Sequence, residues 1–125
     1  MATQLETFLQ EINDAFSRGD IGFFAENSTD DVRWEMVGDT FTEGKRALIE
    51  SMQGLEDSAP PDITVENVIT HGNRAAVLGT MKWADAAGVM KSYAFCDVYT
   101  MSGFKDPKIR EVKSFVIEVN GQNGG

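Results

Sequence analysis

The sequence predicts an α+β fold: an antiparallel sheet packed on three N-terminal helices, where a strongly curved sheet would leave a cone-shaped interior pocket between the two layers. Two patterns carry this prediction. Apolar residues recur at helical spacing along residues 5–16 and again along residues 43–53, whereas from residue 62 onward they alternate with a period of two. The alternating runs are joined by short connections, so consecutive runs pair as an antiparallel meander whose one face the helices must cover.

Leu5, Phe8, Leu9, Ile12, Ala15 and Phe16 form the apolar stripe of a first helix, which Gly19 ends as a left-handed cap. Asp20 then caps a short second helix anchored by Phe23 and Phe24. Residues 27–31 read as a polar break, and residues 32–37 as a short strand. A third helix follows over residues 43–53, with Ala47, Leu48 and Met52 on one side. Four long strands come next. Ile63, Val65, Asn67, Ile69 and His71 share a face of the first, and Ala75, Val77, Gly79, Met81 and Trp83 a face of the second. The third spans residues 89–101 and the fourth residues 108–119, leaving residues 120–125 as a frayed tail. Gly79 and Gly88 are the positions where the sheet can bend.

The chain has 125 residues, 42% of them hydrophobic and 25% charged, which fits a single domain over residues 1–125 and excludes disorder or a disulfide scaffold. Twenty acidic residues against eleven basic ones give a net charge of −9, a field that repels phosphate backbones and anionic lipid. Neither nucleic acid nor a membrane is therefore an expected partner. The N-terminal segment has no basic or apolar signal region, and the single cysteine, Cys96, excludes an intrachain disulfide and a cysteine-based zinc site. A cytoplasmic location is the expectation, with no metal or organic cofactor.

One segment stands out chemically. In Tyr93-Ala-Phe-Cys-Asp-Val-Tyr99 both alternating sets are apolar, yet Asp97 sits in the middle. An unpaired buried carboxylate is expensive, so Asp97 must be hydrogen-bonded, ion-paired with Arg74, Lys82 or Arg110, held neutral, or placed in a polar cavity. Glu35, inside Trp34-Glu-Met-Val37, is the second charge among apolar neighbours, although an edge-strand glutamate also serves against aggregation. His71 reads as a solvated turn residue and Cys96 as a small buried one.

The order of elements resembles the nuclear-transport-factor-2-like superfamily (the cystatin-like fold), and within it the ketosteroid isomerases and SnoaL-like polyketide cyclases. The resemblance runs from Leu5 to Asn120. It rests on Ser17-Arg-Gly-Asp20, on Phe24-Ala-Glu-Asn-Ser-Thr29, on Gly44-Lys-Arg-Ala-Leu-Ile49, and on Phe95-Cys-Asp-Val-Tyr99 followed by Lys108-Ile109. It implies that Glu35 takes the place of the isomerases' general-base carboxylate and Asp97 that of their protonated oxyanion-hole aspartate, while Ile12 stands where they carry a tyrosine donor. It also implies a homodimer formed through the open sheet face.

The expected function is binding of a hydrophobic small molecule, with an isomerase- or cyclase-like proton abstraction α to a carbonyl by Glu35 and hydrogen bonding by Asp97 to the developing enolate. Ile12, Trp34, Met36, Met52, Met81, Trp83, Phe95, Tyr99 and Phe115 are the expected lining of its pocket. The alternative is a non-catalytic binding or dimerisation module of the same fold.

Overall fold

The computed structural model describes residues 4–56, 61–85, 87–103 and 107–119; the expected frayed tail at 120–125 lies outside them. Three helices, α1 (Gln4–Arg18), α2 (Ile21–Glu26) and α3 (Lys45–Glu56), accompany six strands. These are β1 (Ser28–Met36), β2 (Phe41–Glu43), β3 (Asp62–His71), β4 (Arg74–Ala84), β5 (Met90–Met101) and β6 (Ile109–Val119), ordered β2-β1-β6-β5-β4-β3 in one curved, unclosed sheet. No helix among the described residues is long and apolar enough to cross a membrane.

α1 ends where Gly19 adopts a φ of 70°, with Gly19 N–H donating to Phe16 O and Asp20 N–H to Ala15 O. The Asp20 carboxylate then accepts from Phe23 N–H at 3.1 Å and starts α2. Leu9, Ile12 and Ala15 of α1, Phe24 of α2, and Leu48 and Met52 of α3 are buried together with Val77, Tyr99 and Val112 of the sheet. α1 packs across β3, and α3 packs on β1.

The four-strand meander forms as expected, β3 through β6 pairing antiparallel in turn. Three local expectations are corrected. Residues 27–31 are not a break: β1 begins at Ser28 because it pairs in parallel with β6, where Ile109 N–H donates to Asn27 O at 2.7 Å. Residue 43 belongs to β2 and not to the third helix, which starts at Lys45 after Gly44 turns the chain at a φ of 94°. In β3 the register shifts between Val65, opposite Gly79, and Asn67, opposite Leu78, so Glu66 is an extra residue. Beyond this bulge the faces exchange. Ile63, Val65 and Val68 pack on the core, while Ile69 is 60% exposed.

Gly79 makes the bulge possible. A Cβ there would overlap the Thr64 carbonyl oxygen and sit 3.0 Å from the Phe95 ring. The backbone of β3 and an aromatic ring of β5 both occupy the space that any other residue would need.

Candidate active site

A cavity of about 80 Å3 lies between the inner face of the sheet and α1 and α2. Strand parity decides who faces it. Odd-numbered residues of β5 point inward, bringing Phe95, Asp97 and Tyr99 to one wall, and even-numbered residues of β6 add Ser114 and Val116. On β4, Met81 and Trp83 line the cavity; β1 supplies Trp34 and Met36, β3 supplies Ile63, and the helices supply Ile12, Asn13, Phe16 and Phe24. Of the lining residues, Ile12, Asn13, Phe24, Phe95, Tyr99 and Ser114 are buried, while Phe16, Trp34, Met36, Ile63, Met81, Trp83, Asp97 and Val116 are partly exposed.

The polar groups of the lining neighbour one another. Asp97 is opposite Ser114 on β6 and Val77 on β4. Its flanking neighbours on the same face are Phe95 and Tyr99, so the carboxyl has little water around it. Burial pushes its pKa up from 3.8 to about 6, and a hydrogen bond with Ser114 moderates the rise. Ser114 Oγ in turn accepts from Trp34 Nε1 at 3.2 Å. Because the hydroxyl has only one proton, accepting from the indole leaves that proton free to point at the carboxylate. Beside it, burial and the Asp97 charge hold the Tyr99 phenol well above its usual pKa, so it stays protonated. Asn13 is hydrogen-bonded to Tyr99 and donates to Leu9 O at 2.9 Å.

Of the residues expected at the pocket, the structure brings Ile12, Trp34, Met36, Met81, Trp83, Phe95, Asp97 and Tyr99 together. It does not bring Glu35. Trp34 and Met36 face inward, so Glu35 between them faces outward, opposite Lys113, whose Nζ lies 3.8 Å from its carboxylate. Arg33 and Glu111 repeat the pairing on the same outer face at 3.1 Å. Phe115 also faces outward, between the inward-pointing Ser114 and Val116. Met52 is buried but lies behind Phe16 and Phe24, in a separate small recess. The expected ion partners of Asp97, namely Arg74, Lys82 and Arg110, are absent from the lining.

The sequence matches the SnoaL-like domain family over residues 9–112. The chain belongs to that family. Among solved structures, this SnoaL-like chain is similar to an NTF2-like protein of unknown function from Cytophaga hutchinsonii, at 26% identity over 90% of this chain and 98% of the other, with a TM-score of 0.72. It is also similar to a putative SnoaL-like polyketide cyclase from a Jannaschia species (19% identity, 93% and 90% covered, TM-score 0.72). A third relative in fold is a ketosteroid isomerase-like protein from Erwinia carotovora (19% identity, 84% and 87% covered, TM-score 0.63). No curated protein matches the chain in sequence.

Two polar residues of this SnoaL-like cavity, Asn13 and Ser114, were not among the expected site residues. Each occupies a position that the pattern reserves for an apolar side chain: Asn13 one turn after Leu9, and Ser114 between Val112 and Val116. Among the described residues no group of three or more His, Cys, Asp or Glu is placed to hold a metal ion. Ser114→Ala removes the hydrogen-bond donor that lowers the Asp97 pKa, so in that variant the carboxyl titrates at higher pH than in the parent. A carbon-detected NMR titration checks this, and an unchanged midpoint contradicts the hydrogen bond.

Proposed function

We propose that this protein binds a compact apolar carbonyl compound and moves a proton on it, in an isomerase- or cyclase-like reaction with Asp97 as the base. The observation that carries this reading is the single carboxyl among the cavity-lining residues, desolvated, with a pKa of about 6, beside a phenol that stays protonated. A base works best when its pKa lies near the working pH. The Asp97 carboxylate takes a proton from the carbon α to the carbonyl. The C–H electron pair becomes a C=C bond, and the carbonyl π pair moves onto oxygen. Tyr99 O–H donates a hydrogen bond to that oxygen. One negative charge is present throughout: it leaves Asp97 as it arrives on the enolate, so neither state places two charges in the cavity. Protonated Asp97 then returns the proton to the same carbon or to a conjugated one.

This assignment reverses the role that resemblance gave Asp97 and leaves Glu35 out of the chemistry. The test is deuterium exchange at the α carbons of cyclohexanone in D2O, followed by proton NMR. The protein accelerates exchange over buffer, Asp97→Asn abolishes the acceleration, and Glu35→Gln stays within about twofold of the parent. A Glu35→Gln variant as inactive as Asp97→Asn would overturn the assignment.

A second copy of the chain is the proposed partner for the outer sheet face. Ile69 and Ile117 are 60% and 66% exposed there, with Phe115 beside Cys96 and the partly exposed Leu78 and Val98 around them. Light scattering at micromolar concentration then gives twice the 13.7 kDa chain mass, and a monomer mass removes the proposal.

A further inference from the structure

We propose that the aromatic pair Phe16–Phe24 is a partition that limits how far a ligand enters the cavity, and that the site therefore selects carbonyl compounds built on a single ring. The inference rests on the carbonyl reading above and adds the size class of the substrate and the residues that set it.

Phe16 and Phe24 each face two spaces. On one side is the main cavity; on the other is a half-open recess of about 10 Å3 lined by Gly19, Asp20, Ile21 and Met52. The two rings meet edge to face, with centroids 5.7 Å apart at 81°, and Trp34 leans on both at 6.4 and 5.9 Å. Edge-to-face packing with a third ring behind it fixes both phenyl groups in place. The main cavity's 80 Å3 is about half that of an apolar cavity of ~150 Å3 that accepts benzene. A single ring already fills it and reaches its open rim.

A ligand whose oxygen reaches Tyr99 and Asp97 can place a second ring in only two directions. Toward the rim, past Met81 and Trp83, the added ring stays partly in water and gains little. Toward α2, Phe16 and Phe24 occupy the way to the recess. Truncating either ring joins the two spaces.

The experiment compares dissociation constants of 2-decalone and cyclohexanone, with naphthalene and benzene as probes lacking a carbonyl, each followed by side-chain methyl shifts in NMR. In Phe16→Ala the bicyclic ketone improves relative to the monocyclic one by about tenfold or more. Phe24→Leu shifts the ratio in the same direction, and serves if Phe16→Ala does not fold. Met52→Ala enlarges the recess from behind the partition and leaves the ratio within about twofold of the parent. Unchanged ratios in both phenylalanine variants, with cyclohexanone still bound, overturn the partition. So does a Met52→Ala shift as large as that of Phe16→Ala. If no ketone binds but naphthalene gains on benzene in Phe16→Ala, the partition stands as a limit on ligand size while the carbonyl reading falls.

Discussion

Asp97→Asn lowers catalysed α-proton exchange by about 10²–10⁴-fold, the range for loss of a general base, and makes the protein more stable at neutral pH. The two effects have one cause. Burial raises the folded-state pKa of Asp97 from 3.8 to about 6. The folded chain therefore holds this proton more tightly than the unfolded chain does, and stability is greatest when the carboxyl is protonated. As pH rises from 3.8 to about 6 the unfolded chain ionises first, and stability falls by about 3 kcal/mol, or roughly 1.4 kcal/mol for each pH unit crossed. Above pH 6 the full cost is present. Asparagine is nearly isosteric, keeps a hydrogen bond to Ser114 and has no charge to desolvate, so this pH dependence flattens. Denaturant midpoints between pH 4 and pH 8 check it: the parent curve descends across that window, and the variant curve lies above it near pH 7. Parallel curves would mean that Asp97 is hydrated. Activity has the opposite sign, rising with pH to a plateau above about 6 as the base ionises.

Gly79→Ala is expected to be the most damaging glycine-to-alanine change among the described residues, costing about 3 kcal/mol or more. The added carbon overlaps the Thr64 carbonyl oxygen, which is backbone and cannot rotate away, and presses on the Phe95 ring 3.0 Å distant. Relief requires β3 to move off β4, which undoes the bulge at Glu66 and the inward placement of Val68. Because Phe95 also lines the cavity, any alanine variant that does fold has a displaced ring beside Asp97. Thermal unfolding with near-ultraviolet circular dichroism reports both consequences. A variant within about 1 kcal/mol of the parent would show that the strands are not in close contact at this point.

Much of this architecture is readable from residue order, because helices and antiparallel strands leave different periods in the sequence. Asp97 announced itself as a charge in a strand apolar on both sides, and its neighbours Phe95 and Tyr99 followed by parity. Glu35 is the opposite case: its match to a catalytic carboxylate competes with the parity of Trp34 and Met36, which places it on the outer face. Phe115 faces outward by the parity that Val112 and Val116 set for β6. The β3 bulge defeats any count by twos, since one inserted residue exchanges the faces of everything after it. The parallel pairing of β1 with β6 leaves no local trace, because its cause is a strand 80 residues away.

That pairing has a consequence for how the molecule comes into being. β6 lies between β5 and β1 in the sheet, and the Trp34–Ser114 hydrogen bond joins residues 80 positions apart. On the ribosome, α1, α2 and β1 emerge before β6 and wait for a strand synthesised about 80 residues later. Until then, one side of β1 has no neighbour in the sheet, and Trp34 lacks the hydroxyl that receives its indole proton. Contacts this distant in sequence make folding slow compared with a helical bundle of the same size. They also make it all-or-none for the cavity: Asn13 and Trp34 come from the early part of the chain, Asp97, Tyr99 and Ser114 from the late part. A nascent chain that stalls before β6 carries Asp97 and Tyr99 but lacks Ser114 and the strand that joins them to Trp34, however well its helices have formed.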